Sequence, residues 1–248
     1  REELQGYYGH CTATDKAIGE IIQKAKSLGI YDNSIIVFTS DHGEMMGAHG
    51  FRPFMKHQAY AESSEIPFII SYPNMDANKG KVAEAPITTP DILPSLLALC
   101  NIEIPKSIEG YDLSEIVKSP SKDKDRVALF MNPCPFDIAY NDEEYCALKT
   151  ATFTYSKTPD GPALLFDNIK DPLQMNNLVD DASYAEIQKQ LDTQLMHELA
   201  RIGETEVKPR EYYLKKFGFE GRPEFRADYA IQNYNNVDVV VSPAVQRD

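Results

Sequence analysis

Asp41 and His42 stand side by side where an apolar run gives out. The run, Ile35-Ile36-Val37-Phe38, ends at Thr39-Ser40 and opens at once into Asp41-His42-Gly43. A carboxylate is a hard oxygen donor and an imidazole a nitrogen donor, so the pair can hold a divalent cation. On spacing alone the same two residues also read as a helix cap with a polar neighbour. Fourteen residues beyond His42 comes Lys56, in a segment that also carries His49, Arg52 and His57. Three of the five histidines fall between 42 and 57. A cation held at Asp41-His42, with lysine, arginine and imidazoles around it, would make an anion-binding cleft.

Several elements must position these groups. The β-branched and aromatic residues at 35–38 predict a buried strand, and Ile66-Pro67-Phe68-Ile69-Ile70 predicts a second. Before them, apolar residues at 18, 21, 22, 25 and 28 lie on one helix face, with Thr12 or Thr14 as cap and Gly29 as the left-handed C-terminal residue. Helix, short turn and strand predict a βαβ-type unit with a parallel sheet, whose ligands bind beyond the carboxyl ends of the strands. The connection 43–65 has the length and composition of a functional loop. Thr88-Thr89-Pro90-Asp91 predicts a helix start, with Thr89 as N-cap, Pro90 in the first position and Asp91 complementing the dipole. The polar stretch 118–125 is the best boundary. Beyond it, strands are predicted at 127–131, 145–149, 152–155 and 163–166, with a turn at Pro159-Asp160-Gly161. A helix over 182–200 and a last strand at 237–241 follow.

The ordered set TSDHG, His49-Gly50, Lys56-x-x-x-Tyr60 and IPFII resembles the second half of the sulfatase family, within the alkaline-phosphatase-like superfamily. YYGHCTATDKAIGEII resembles that family's helix before the Asp-His strand. LLFDNIKDPLQMNNLV resembles its signature near the C-terminus, where Asp171-Pro172 and Asn177-Leu178 close a small antiparallel sheet. The resemblance implies an α/β fold: residues 1–120 as the C-terminal part of a mixed-sheet α/β core, and residues 126–248 as a small α+β subdomain with an antiparallel sheet. It implies Asp41 and His42 as metal ligands and Lys56 as the sulfate contact; Lys56 and His49 are expected as catalytic residues, and His49 and Arg52 as further substrate-binding groups. The implied cation is Ca²⁺, with Mg²⁺ the alternative. The implied reaction is hydrolysis of a sulfate ester on a small molecule or glycan, in an exported compartment: periplasm, secretory lumen or exterior. One departure stands out. Sulfatases usually carry Tyr-Glu-x-x-x-Arg before the second strand, whereas here Glu65 takes the place of the arginine.

The family's nucleophile is a formylglycine made from cysteine or serine within C-x-P/A-x-R. Cys11 opens C-T-A-T-D, with Asp15 where the arginine belongs, and Cys100, Cys134 and Cys146 fail sooner. The resemblance therefore implies an N-terminal half outside these 248 residues, carrying the formylglycine and an Asp-Asp pair of ligands, without which the chain is inactive. The four cysteines have no zinc spacing and admit one or two disulfides of unassigned pairing. A net charge of −13 argues against nucleic acid and anionic membranes as partners. No apolar stretch approaches the roughly 20 residues of a membrane span, and the first residues do not read as a signal peptide. Two rival readings stand beside the sulfatase: a phosphodiesterase or phosphonate monoester hydrolase of the same superfamily, and a non-catalytic relative that binds sulfated glycans.

Overall fold

The computed structural model describes residues 2–51, 54–73, 80–123, 125–133 and 144–218. Arg52, Cys134 and the strand expected at 237–241 lie outside them. Helix α1 (Glu2–Ser27) is followed by a 3₁₀ turn at Tyr31–Asn33 and strand β1 (Ile36–Thr39). The helix starts ten residues before the expected caps, and Thr12 sits inside it, donating to the Tyr8 carbonyl at 3.0 Å. None of its residues is buried, so an apolar stripe was a poor guide to its length. Glu2 and Glu3 in the first turn and Lys24 and Lys26 in the last complement the helix dipole instead. Its end is as expected. Gly29 has φ +69, its N–H donates to the Lys26 carbonyl and that of Ile30 to the Ala25 carbonyl, the paired bonds of a Schellman motif.

Strand β1 pairs with β2 (Phe68–Ser71) in an antiparallel register, Val37 opposite Ile70 and Phe38 opposite Ile69. A parallel partner for β1 across α1 is not among the described pairings. A parallel return from β1 to β2 would need a crossover of a dozen or more residues, as a rule a full helix, whereas the described residues between them hold a 3₁₀ turn at Ala48–Gly50 and the four-residue helix α2 (Ala61–Ser64). Nor is this pair of strands fully buried: Phe38 of β1 and Ile69 of β2 are exposed.

Helix α3 (Thr89–Leu99) is capped by Thr88, one residue earlier than expected, through a capping box with Asp91 at its third position. Two threonines in a row made the choice ambiguous, and the three-residue reach of the box decides it. Asp91 caps as expected, but it is also buried and bonded to the Tyr111 N–H (2.8 Å) and to Arg126. A short helix α4 (Ser114–Lys118) leads to the four-stranded antiparallel sheet β3 (Ala128–Asn132), β4 (Tyr145–Lys149), β5 (Phe153–Thr158) and β6 (Gly161–Asp167), in sequence order. Asn177 and Leu178 run beside β6, where the Asn177 amide bonds to Leu165 N–H and Ala163 O and Leu178 N–H donates to Leu165 O. Helix α5 (Ala185–Arg201) lays Leu191, Leu195 and Leu199 onto this sheet, against Leu148, Tyr155 and Leu165. Helix α6 (Arg210–Lys216) adds Tyr213 at the edge. Cys11 and Cys100 are exposed free thiols and Cys146 a buried one, so no disulfide joins the described cysteines. Among the described residues no helix is long and apolar enough to cross a membrane.

Candidate active site

The turn after β1 fixes its two donors in different ways. Asp41 Oδ1 is tied inward, accepting the His42 backbone N–H at 2.9 Å and the Ser40 hydroxyl at 3.3 Å. That backbone bond is the main reason the Asp41 carboxyl lies below its ordinary range. His42 Nδ1 lies 2.9 Å from the Gly43 carbonyl. A carbonyl only accepts, so Nδ1 carries the proton and Nε2 presents its lone pair. Nε2 is 3.4 Å from Asp41 Oδ2, and the Asp41 side chain is 83% exposed. Two donors that close, facing solvent together, are spaced as adjacent ligands of one cation. The pair fits a divalent cation, but among the described residues no group of three or more His, Cys, Asp or Glu side chains is placed to complete such a site.

Gly43 locks the turn in place. Its N–H donates to the Ser63 carbonyl of α2 at 2.9 Å, and a Cβ here would sit 1.9 Å from the Glu62 carbonyl oxygen. The loop then folds back on itself, with Met45, almost wholly buried, donating its N–H to the Met55 carbonyl. Met46, His49, Phe54 and His57 all have positive φ, a conformation that side chains adopt only under constraint. His49 is a part of that frame. Its side chain is only 8% exposed, its ring stacks on Tyr60 at 3.9 Å and Nε2 lies 3.3 Å from Glu62 Oε2.

Lys56, His57, His42 and Glu44 share one electrostatic neighbourhood. His57 is pushed below its usual value, first by burial and then by its neighbours Lys56 and His42, with Glu44 opposing. Lys56 is half-buried and makes no ion pair among the described residues. Glu44 Oε1 is 3.9 Å from His42 Nδ1, and Glu44 Oε2 is buried without a hydrogen-bond partner. From α1, Tyr7 approaches this carboxylate. Burial raises its phenol first, and Cys11 and Glu44 add to the effect. Glu44 follows Asp-His-Gly directly, yet neither it nor Glu62 carries a sequence signal that marks it as part of this region.

The structure thus brings Asp41, His42 and Lys56 into one region and sets His49 into the loop behind them. His10 and Asp15 are exposed on α1, and His197 is exposed on α5. Glu65, in the place of the family's arginine, forms an ion pair with Lys149 of β4. A cation is therefore present beside that position after all, delivered from the second sheet.

The Sulfatase family model matches residues 1–102. An ulvan-active sulfatase from Formosa agariphila is 52% identical over 219 residues, covering 88% of this chain and 43% of that protein. A structure solved with its substrate D-glucosamine-2-N,6-O-disulfate superimposes with a TM-score of 0.65 at 25% identity, covering 79% of this chain and 40% of that one. The phosphonate monoester hydrolase of Agrobacterium radiobacter gives the same TM-score at 26% identity, covering 79% and 40%. The chain spans less than half the length of these relatives. Shape alone does not separate sulfatase from phosphonate hydrolase, but the 52% identity and the family match fall on the sulfatase side. The chain belongs to the sulfatase family, within the alkaline-phosphatase-like superfamily.

Proposed function

We propose that the protein of which this chain forms part hydrolyses sulfate esters on a polysaccharide of the ulvan kind, with this chain contributing part of the cation site and part of the sulfate site. The observation that carries the reading is the 3.4 Å approach of Asp41 Oδ2 to His42 Nε2, with the half-buried Lys56 in the same neighbourhood. In this reading Asp41 and His42 hold a divalent cation, Ca²⁺ by family habit, which when bound would stabilise charge on the sulfate oxygens. Lys56 meets the same oxygens, and its partial burial strengthens its field. His49 holds the loop in shape through its stacking on Tyr60, and Arg52, outside the described residues, is assigned to the substrate on the family resemblance alone. The nucleophilic formylglycine and the remaining ligands are assigned to residues outside this sequence. The division at 118–125 into core and subdomain, and an exported location, belong to the same reading.

The sulfated substrate is supported by the ulvan-active relative, whose identity of 52% is high enough to carry reaction type. The test is release of inorganic sulfate from ulvan oligosaccharides by the full-length protein, beside a phosphonate monoester, with Asp41→Ala and Lys56→Ala as controls. Sulfate release that both substitutions abolish is expected. Faster turnover of the phosphonate, or glycan binding with no sulfate released, sinks the reading.

A further inference from the structure

Gln174 lies in the Asp171–Asn177 turn, 113 residues from the helix it bonds to. It is 2% exposed, and its backbone is held in the left-handed region at φ +53, a conformation costly for a side chain like this one. Its amide is fully used. Oε1 accepts the Ala61 N–H at the start of α2 (2.7 Å), while Nε2 donates to Thr154 Oγ1 (3.1 Å) and Asn168 Oδ1 (2.9 Å). The far end of α2 carries the cation turn, since Ser63 accepts the Gly43 N–H and the Glu62 carbonyl leaves Gly43 no room to shift. The Ser63 hydroxyl also accepts the Gln58 N–H at 3.2 Å, two residues after Lys56. One buried amide thus joins the four-stranded sheet to the short helix on which both the cation turn and the lysine segment hang.

We propose that Gln174 is a positioning residue for the cation site, acting through α2 on Asp41 and His42. This rests on the reading of Asp41 and His42 as cation ligands. Outlying hydrogen bonds that orient metal ligands typically change affinity about 10- to 100-fold when lost. Gln174 acts through backbone rather than on a ligand directly, so about tenfold is expected.

The experiment is a calorimetric titration of Ca²⁺ alone into the full-length protein and four variants. Gln174→Leu removes all three bonds and Gln174→Asn keeps an amide too short to reach Ala61, in a residue that tolerates positive φ. Both are expected to bind Ca²⁺ about tenfold more weakly. Gln174→Glu keeps the acceptor for Ala61, and the Asn168 Nδ2, now buried without a partner, can turn to donate to it, so near-parental affinity is expected. Asp41→Ala is the reference. If it binds Ca²⁺ as the parent does, the ligand reading fails and this inference with it. If it loses Ca²⁺ while the asparagine variant stays within twofold of the parent, the ligand reading stands and the role of Gln174 is overturned. Should the leucine variant not fold, the asparagine and glutamate variants decide alone.

Discussion

Gly43 and Ser63 are joined by a backbone bond of 2.9 Å, with the Glu62 carbonyl oxygen standing where a Cβ on Gly43 would have to go. The glycine is required by close approach, since at 1.9 Å the obstacle is backbone and cannot swing aside. Gly43→Ala must therefore push α2 away from the Asp41-His42 turn. Overpacking of this kind costs about 1–3 kcal/mol, and the upper end is expected because α2 is also held by Gln174. Urea unfolding of parent and variant gives the stability loss. A loss below about 0.5 kcal/mol would show that the turn tolerates displacement.

Lys56 presents the opposite case, a residue whose removal should spare the fold. A half-buried ammonium without an ion-pair partner among the described residues is a cost to the native state, not a contribution. Lys56→Met in the full-length protein is expected to leave the melting temperature unchanged or slightly higher. Removing one preorganised charge stabiliser typically costs about 10²–10³ in rate, and a fall of that size in kcat/KM for sulfate release is expected. A variant that melts early and keeps its activity would assign Lys56 to structure.

Cys146 lies in β4 at 2% exposure, and burial pushes its thiol up to about 12, with the negative charge of Glu204 a lesser cause. In the unfolded chain a thiol ionises near about 8.5. The folded state thus holds the proton more tightly. The stability this confers is complete below the unfolded value and is lost as pH climbs from about 8.5 toward about 12. Cys146→Ala should flatten the alkaline fall in unfolding free energy across that window. At pH 8, iodoacetamide should label the exposed Cys11 and Cys100 and leave Cys146 unmodified by peptide mass mapping. Equal labelling of all three would contradict the burial.

How far the sequence could be read varies with how local each signal is. The switch from Ile-Ile-Val-Phe to Thr-Ser-Asp-His-Gly announces a strand ending in donors, and the structure places Asp41 and His42 there. The four strands of the second sheet were legible within a few residues for a related reason: short apolar and aromatic runs between turn residues such as Gly161, which takes φ +132. The antiparallel pairing of β1 with β2 was not, because direction depends on how the connection 40–67 folds, and that is set by left-handed residues at Met46, His49 and His57 that carry no compositional mark. The start of α1 was missed because a helix with no buried residue has no stripe to read. The Gln174–Ala61 and Glu65–Lys149 contacts join residues 113 and 84 positions apart, and nothing local to either partner points to the other.

Asp91 and Arg126 carry the last prediction. Asp91 Oδ2 accepts the Thr88 N–H (2.9 Å) and hydroxyl (3.0 Å) and pairs with Arg126, while Oδ1 takes the Tyr111 N–H at 2.8 Å. Arg126 also donates Nε to the Pro86 carbonyl and lies 4.9 Å from the centre of the Tyr111 ring. Both side chains are nearly sealed, at 2% and 11% exposure. Breaking such a pair by removing one partner strands a charge in low dielectric and typically costs about 3–5 kcal/mol, although the intact pair need not be worth that much. Arg126→Met is expected to lose about that amount in urea unfolding. Asp91→Asn added to it should recover part of the loss, because the amide keeps an acceptor and carries no stranded charge. Calcium affinity should not follow either change, since the pair joins α3 to the start of β3 and, among the described residues, has no bond to α2 or the Asp41-His42 turn. A double variant no more stable than Arg126→Met would mean that the lost bonds of the guanidinium, not the stranded carboxylate, set the cost.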